Sequence, residues 1–212
     1  MKLSKLSLII CCLIIIAGCN KNNEYYTTVN GKVLEFGTNI PIEGAKVFLY
    51  GGIPDGDLSN PGAILEKIDS FITNPDGSYS FAFDAKSYPI REMSVKEDLY
   101  FPIKIGDVIL RIYTGKDNEI DIIMNPHAWL NIYIKNTIPY DEFDRLGVWG
   151  SWGGGNVFEV FGENVEDSKT ILVKGNKELT IFWSVTKNGI KTSYQEPVIC
   201  PAHDTTSFEI LY

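Results

Sequence analysis

Apolar side chains at every second position are the feature that most limits what this chain can fold into. In residues 78–84, for example, Tyr79, Phe81 and Phe83 share one side of the segment. A period of two residues is typical of half-buried β-strands, and no window of a dozen residues shows convincing helical periodicity. Residues 140–146 offer one or two helical turns at most. The sequence therefore predicts an all-β fold.

Turn sequences separate the predicted strands. The Asn-Gly pair at 188–189 is a strong signal for a two-residue hairpin, and the Gly-Asn pair at 175–176 marks another turn. Many short strands with such turns and without helices indicate β-sandwiches. The two turns also predict an antiparallel meander of three segments, which are 170–174, 178–186 and 190–196.

A break after the regular strand 119–124 divides the predicted strands into two groups. Asn125-Pro126 stops that strand, and a new alternating segment begins at Ala128. We therefore predict two consecutive antiparallel β-sandwich domains behind a leader and a short tether. The predicted segments are a signal peptide at 1–18, a tether at 19–26, a first sandwich at 27–125 and a second at 126–212.

The N-terminus has the parts of an export signal. Lys2 and Lys5 precede a charge-free run of 13 residues that ends at Gly18, directly before Cys19. A basic start, a short apolar segment and a small-residue exit are typical of a secretory signal. The run is too short for a helix that spans a bilayer, which needs about 20 residues. An uncleaved anchor and a plain signal peptide are the alternatives.

The sequence Ile-Ala-Gly-Cys at 16–19 resembles the lipobox of bacterial lipoproteins. The resemblance implies that the leader is removed before Cys19 and that acyl chains, palmitate among them, are attached to this cysteine. It also implies a protein of the cell envelope, held by lipid at the outer membrane and facing the periplasm or the cell surface. The polar residues 20–24 then form a flexible tether between lipid and domain.

The net charge limits the expected binding partners, and the cysteine content limits the possible disulfides. Lys2 and Lys5 leave with the leader, so 17 basic and 27 acidic residues remain and the net charge is −10. Such a chain repels phosphate backbones, so nucleic acid is not expected as a partner. Membrane attachment is assigned to the lipid on Cys19 alone. Cys200 is the only other cysteine that remains, and we expect it to be a small buried residue without a disulfide.

Three motifs in residues 30–83 resemble the carboxypeptidase regulatory-like domain, a transthyretin-like sandwich. They are Gly-Lys-Val at 31–33, Pro-Ile-Glu-Gly-Ala-Lys-Val at 41–47 and Thr-Asn-Pro-Asp-Gly-Ser-Tyr-Ser-Phe at 73–81. Residues 120–126 look like the last strand of that family, so the resemblance covers about half of the chain. It implies an accessory domain without chemistry of its own, of the kind found beside outer-membrane transporters and in surface lipoproteins. For the second sandwich we expect an immunoglobulin-like or transthyretin-like fold.

Motifs for catalysis and cofactor binding are missing from the sequence. It contains no Gly-x-Ser-x-Gly, no His-Glu-x-x-His and no phosphate-binding glycine loop. His127 and His203 lack metal-ligand spacing, and the acidic residues of 55–57 and 141–144 are interpreted as solvated loop charges. We therefore expect no enzymatic activity, no metal and no cofactor. The alternative is a hydrolase whose unrecognised site uses Asp141, Glu142 or His203.

A glycine-rich segment with two tryptophans is the candidate for ligand binding. Residues 148–156 read Val-Trp-Gly-Ser-Trp-Gly-Gly-Gly-Asn. Exposed indole rings stack on sugar rings, and loops at the end of a sandwich commonly carry binding residues. The predicted ligand-binding residues are Trp149, Trp152 and Asn156, whereas Trp129 and Trp183 are expected in the core. The alternative is that one of the two loop tryptophans fills the core.

The leading hypothesis is a non-enzymatic, lipid-anchored accessory module of an outer-membrane complex. Its expected partner is a glycan or another envelope protein. A structural subunit of an adhesive surface fibre is the second hypothesis, in which the last strand, 207–212, is donated to a neighbouring subunit. The third hypothesis is the hydrolase described above.

Overall fold

A computed structural model describes residues 24–54, 63–88, 90–107, 112–152, 155 and 157–212. The predicted signal peptide, Cys19, the acidic residues of 55–57 and Asn156 lie outside the described residues. Within them the chain forms β-strands and turns, with a single short 3-10 helix at Ala85–Ser87. The prediction of an all-β fold is confirmed. Residues 140–144 form turns and no helix.

Fourteen strands lie in this part of the chain. They are β1 (Tyr26–Glu35), β2 (Lys46–Pro54), β3 (Ala63–Ile72), β4 (Ser78–Asp84), β5 (Ile90–Lys96), β6 (Asp117–Glu119), β7 (Ile122–Met124), β8 (His127–Lys135), β9 (Arg145–Gly150), β10 (Phe158–Phe161), β11 (Glu166–Lys174), β12 (Glu178–Lys187), β13 (Ile190–Ile199) and β14 (Thr205–Leu211). None of the described helices is long and apolar enough to cross a bilayer.

The first core lies between two small sheets. One sheet has the order β4-β1-β6, with β7 also paired to β1, and the other has the order β3-β2-β5. The predicted inward side of β4 is confirmed, because Tyr79 and Phe81 are each 2% exposed and Phe83 is 9% exposed. Val47 and Leu49 approach them from β2 and are fully buried. The two sheets therefore form a β-sandwich.

The second core lies between the sheets β10-β9-β12-β13 and β11-β8-β14. Alternate residues of β8 point into it, and Leu130, Ile132 and Ile134 are fully buried. Cys200 is also fully buried and has a free thiol, as the sequence predicts. Burial raises the pKa of this thiol. The last buried residue of the first core is Met124 and the first of the second core is Ala128.

The prediction that the sandwiches are antiparallel is wrong, because both contain parallel pairs. β6 and β7 run parallel to β1, and β14 runs parallel to β8. In the second sandwich the cause is the connection at 200–204, which carries the chain from β13 to the edge of the facing sheet. β14 therefore enters beside β8 in the same direction instead of turning back along β13.

The predicted meander is correct in one half only. β12 and β13 form the expected hairpin, in which Asn188 and Gly189 both have positive φ, 48° and 70°. β11, however, pairs with β8 in the facing sheet and not with β12. Gly175 follows β11 directly, and its backbone N–H donates to the carbonyl of Pro126. The turn at 175–176 therefore crosses between the sheets.

The strand predicted at 119–124 is divided into β6 and β7. The break is at Ile120, whose backbone passes against β1 beside Gly31. A Cβ atom on Gly31 would lie 1.8 Å from the carbonyl oxygen of Ile120. The backbone of Ile120 can pass this close to β1 only because Gly31 has no side chain, and β6 and β7 keep the same register along β1 on both sides of the break.

A buried threonine holds the loop before β2 to the end of β3. The Thr73 hydroxyl donates to the carbonyl of Ile42 (2.6 Å) and accepts from the N–H of Ala45 (2.9 Å). Thr73 is 3% exposed, so water does not replace these bonds. The threonine that opens the third motif is thus a structural residue.

We predict that Thr73→Val destabilises the first sandwich. Valine has nearly the same shape but leaves the two backbone groups of Ile42 and Ala45 buried without partners. Each such group costs about 1–3 kcal/mol. Urea unfolding measures the loss, and Thr73→Ser, which keeps the hydroxyl, should restore most of it. Equal stabilities for the valine and serine variants would contradict the structural role of the hydroxyl.

Candidate functional site

Trp149 lies on the open outer face of the second sandwich. Side chains alternate along β9, so Val148 points into the core and Trp149 points away from it. The Trp149 side chain is 36% exposed. It stacks on Phe182, its register partner on β12, with ring centroids 6.1 Å apart and an interplanar angle of 14°. The pair forms a flat aromatic surface on this sheet face.

A small groove runs beside this aromatic pair, and we call it the Trp149 groove. Its volume is about 150 Å³. Gly147 forms the floor, and a Cβ atom there would lie 3.7 Å from the Ser184 hydroxyl, an ordinary contact. The glycine therefore leaves room that a larger residue would fill without strain. The lining residues are Arg145, Gly147, Trp149, Glu159, Ser184, Thr186 and Lys191.

The groove contains charges of both signs. The Arg145 guanidinium forms a salt bridge with the Glu159 carboxylate, and its Cζ lies 5.3 Å from the centre of the Phe161 ring. These contacts hold the arginine in place at the edge of the groove. Within the part of the chain that the structure describes, the Ser184 and Thr186 hydroxyls have no hydrogen-bond partner. They are therefore available to a ligand.

This arrangement suits a ring that is apolar on one face and polar at its edge. An indole face packs against the apolar side of a sugar, whereas hydroxyls, a carboxylate and a guanidinium bind its hydroxyl groups. The groove is small, about 150 Å³, so it can hold one unit of a longer chain.

Trp152 lies elsewhere, and the structure does not bring the two predicted tryptophans together. The Trp152 ring covers Gly150, where a Cβ atom would come within 1.8 Å of the ring atom Cζ3. It is half-buried and packs against the second core. It also faces a second cavity, which Phe101 of the first sandwich helps to line. The third predicted residue, Asn156, is outside the described residues.

Trp129 and Trp183 were both predicted to lie in the core, and the structure agrees for only one of them. Trp183 packs against the second core and stacks on Tyr194, with ring centroids 5.4 Å apart. Trp129 was expected in the core, which is wrong. Ala128 and Leu130 take the inward positions of β8, so alternation places Trp129 half-buried on the outer face.

The residues of the hydrolase alternative do not converge. The backbone N–H of His203 donates to the carbonyl of His127, at the start of β8. Asp141 belongs to the turn that follows the other end of β8, where its side chain caps the N–H of Phe143. Nine strand residues separate the two ends, which is roughly 30 Å. The described residues contain no group of three or more His, Cys, Asp or Glu side chains that could hold a metal ion.

Asp144 ends this turn and is fully buried. One of its carboxylate oxygens accepts hydrogen bonds from the Asn136 side chain and the Tyr140 N–H, both at 2.9 Å, and lies 3.9 Å from the Lys187 ammonium. Burial by itself would raise the pKa of Asp144. The hydrogen bonds and Lys187 together outweigh it, and the pKa is lowered. Asp144 is therefore a structural residue that holds the 140–144 turn.

We predict that Asp144→Asn lowers stability at neutral pH and much less in acid. The buried amide has fewer favourable partners than the carboxylate, a loss of about 1–3 kcal/mol. Because the folded pKa is lowered, the contribution is complete above the ordinary aspartate pKa of about 3.9. It disappears as the pH falls through the lower folded value. Urea unfolding of both proteins across this pH range is the measurement.

Glu142→Gln, two residues away and exposed, is the matched control and should change stability by less than about 0.5 kcal/mol. A destabilisation of Asp144→Asn that stays constant from neutral to acid pH would contradict the assignment.

No sequence pattern indicates a third feature, a set of polar contacts between the two sandwiches. We call it the junction cluster, and it consists of Glu35, Tyr100, Asn176 and His203. Glu35 is 5% exposed, and one of its carboxylate oxygens lies 2.9 Å from the Tyr100 hydroxyl and 3.0 Å from His203 Nε2. Asn176 donates to the carbonyl of Phe36 at 3.0 Å. The junction cluster cannot be predicted from local sequence patterns, because its residues are far apart in sequence.

No protein-family model matches the sequence, and no curated protein matches it significantly. Among solved structures, the chain resembles a DUF3823 family protein from Bacteroides uniformis with 11% identity and a TM-score of 0.31, covering 83% of this chain and 100% of that one. It also resembles the shaft pilin SpaA from Lactobacillus rhamnosus GG with 9% identity and a TM-score of 0.32, covering 88% and 96%. These are distant similarities of β-sandwich fold and identify no family.

Proposed function

We propose that this protein is a non-enzymatic glycan-binding module of the cell envelope, attached to the outer membrane through lipid on Cys19. The observation that carries the proposal is the exposed Trp149–Phe182 pair beside the Trp149 groove. The pair offers an apolar face to a sugar ring, and the groove adds hydrogen-bonding groups at its edge. An outer-membrane complex that handles glycans is the setting we propose for it.

The groove supports weak binding of each sugar unit. Stacking on an aromatic face contributes about 0.5–1.5 kcal/mol beyond the burial of area. A single groove of this size therefore favours a polymeric glycan, in which many equivalent units raise the local concentration of ligand. Because Arg145 is already paired with Glu159, the groove fits a ligand with hydroxyl groups better than a strongly charged one.

The course of β1 supports presentation of the groove away from the membrane. β1 begins at Tyr26, directly after the tether, and ends at Glu35, which contacts the second sandwich through His203. Ten strand residues span roughly 33 Å. A lipid on Cys19 would thus hold the free end of the first sandwich, whose motifs resemble the carboxypeptidase regulatory-like domain. The first sandwich then acts as a spacer.

The pairing of the last strand favours this proposal over the fibre subunit. β14 is paired with β8 from Thr205 to Leu211 within its own chain. A donated strand would have to leave this pairing and expose the inward residue Ile210, which is 2% exposed. The hydrolase is less well supported, because its proposed residues lie at opposite ends of β8.

We predict that Trp149→Ala lowers glycan affinity about 3- to 10-fold, the equivalent of one aromatic stacking contact. A glycan array identifies the ligand, and isothermal titration with the best oligosaccharide gives the affinity. Gly147→Val, which fills the floor of the groove, should abolish binding. Tyr113→Ala is the control, since Tyr113 is 62% exposed but lies in the first sandwich. Unchanged affinity in both groove variants would refute the proposed site.

For the anchor, we predict that Cys19→Ser moves the protein from the membrane fraction to the soluble fraction. Serine cannot carry the thioether-linked lipid, and the acidic chain has no electrostatic attraction to anionic membranes. Mass spectrometry of the wild-type protein should find Cys19 as an acylated N-terminus. Complete membrane association of the serine variant would contradict the proposal that this protein is a lipoprotein.

A further inference from the structure

The second cavity lies where the two sandwiches meet and is separate from the Trp149 groove. We call it the junction cavity. Its volume is about 310 Å³, at the lower end of the range of about 300–1,000 Å³ that is typical of ligand pockets. Phe101 contributes from the first sandwich, and Trp152, Leu172, Lys174, Lys177 and Glu178 contribute from the second. Contacts between domains are a preferred location for ligand sites.

The apolar walls of the junction cavity are held in place before any ligand binds. The Phe101 ring meets the His127 ring edge to face with centroids 4.7 Å apart, and its backbone N–H donates to Asn125. Trp152 is held over Gly150, as described above. Leu172, on β11, is 46% exposed beside these rings. The cavity therefore offers two aromatic side chains and an aliphatic one to a ring-shaped ligand.

The charges at the rim favour an anion. Lys174 and Lys177 lie at the two sides of the turn between β11 and β12, and both are exposed. Neither ammonium group has an acidic partner within 4.0 Å among the described residues. Glu178 supplies one carboxylate, so the lining has a net charge of +1 in a chain of net charge −8. An apolar pocket with unpaired ammonium groups is complementary to a ring that carries a carboxylate.

We propose that the junction cavity binds a ring with one carboxylate. The ring packs between Trp152 and Phe101, and the carboxylate is bound by Lys174 and Lys177. Where the ring carries hydroxyl groups, the Glu178 carboxylate accepts hydrogen bonds from them. Two sources share this chemistry, a hexuronic acid unit of an acidic glycan and an aromatic carboxylic acid. The inference does not depend on the Trp149 groove, which lies on the outer face of β9 and β12.

The test uses saturation-transfer NMR titrations of the full mature chain. The probes are methyl β-glucuronide with its neutral counterpart methyl β-glucoside, and benzoate with its neutral counterpart benzyl alcohol. At least one acid should bind about tenfold more tightly than its neutral counterpart, as expected when a charge-assisted contact is lost. Binding of the glucuronide identifies the sugar as the source, and binding of benzoate alone identifies the aromatic acid.

Variants locate the binding. The double substitution Lys174→Met and Lys177→Met should remove the preference for the acid, and Trp152→Phe should weaken both members of the pair. Lys46→Met, at an exposed position of the first sandwich, is the matched control and should have no effect. Trp149→Ala should leave the preference for each acid over its neutral counterpart unchanged, which separates failure here from failure of the proposed function. Thermal unfolding confirms that each variant is folded.

Two results would overturn the inference. One is that neither acid binds at millimolar concentration, and the other is that each acid binds no better than its neutral counterpart. Retention of full acid binding by the double lysine variant would also exclude the cavity as the site.

Discussion

The relative position of the two sandwiches depends on the hydrogen bonds of one buried carboxylate, that of Glu35. Glu35 is 5% exposed, and a carboxylate in such a position is costly unless its oxygens are bonded. One oxygen accepts from Thr38 within the first sandwich, and the other is bonded by Tyr100 and by His203 of the second. Removing the second sandwich would leave the carboxylate short of a partner. The pair of sandwiches is therefore held in one arrangement.

Backbone hydrogen bonds reinforce this contact. His127 N–H donates to the carbonyl of Leu99, and Phe101 N–H donates to that of Asn125. The Tyr100 ring also packs edge to face on His203, with centroids 5.2 Å apart. Burial and the neighbouring His203 lower the pKa of His127. The junction cavity depends on this arrangement, because Phe101 reaches it only when the sandwiches are held together.

Both aromatic sites belong to the second sandwich, and they differ in physical character. The Trp149 groove has a volume of about 150 Å³, and its Arg145 is paired with Glu159. The junction cavity has a volume of about 310 Å³ and has two lysines against one glutamate. The first suits a neutral sugar unit in a long chain, and the second suits a single ring with a carboxylate. The first sandwich contributes Phe101 to the junction cavity. In the proposed function it also separates the groove from the tether.

Local sequence pattern was sufficient where the deciding interactions are local. The inward side of β4 follows from its period of two, and the hairpin at 188–189 follows from an Asn-Gly pair that adopts positive φ. The burial of Cys200 and the outward position of Trp149 were also predicted from the sequence. In each case one segment, or one turn, determines the outcome.

Tertiary structure alone decided which strands pair and which side chains meet. The turns at 175–176 and 188–189 place β11 next to β12 and β13 in sequence, yet β11 joins β8. A turn shows where a strand ends, and a period of two shows which side of it is apolar, but neither shows which strand lies beside it. The parallel pairing of β14, the stacking of Trp149 on Phe182 and the junction cluster are likewise contacts across long sequence separations. The sequence thus determined the strands and their buried sides. Long-range packing determined the sheets, the two sites and the fixed relation of the sandwiches.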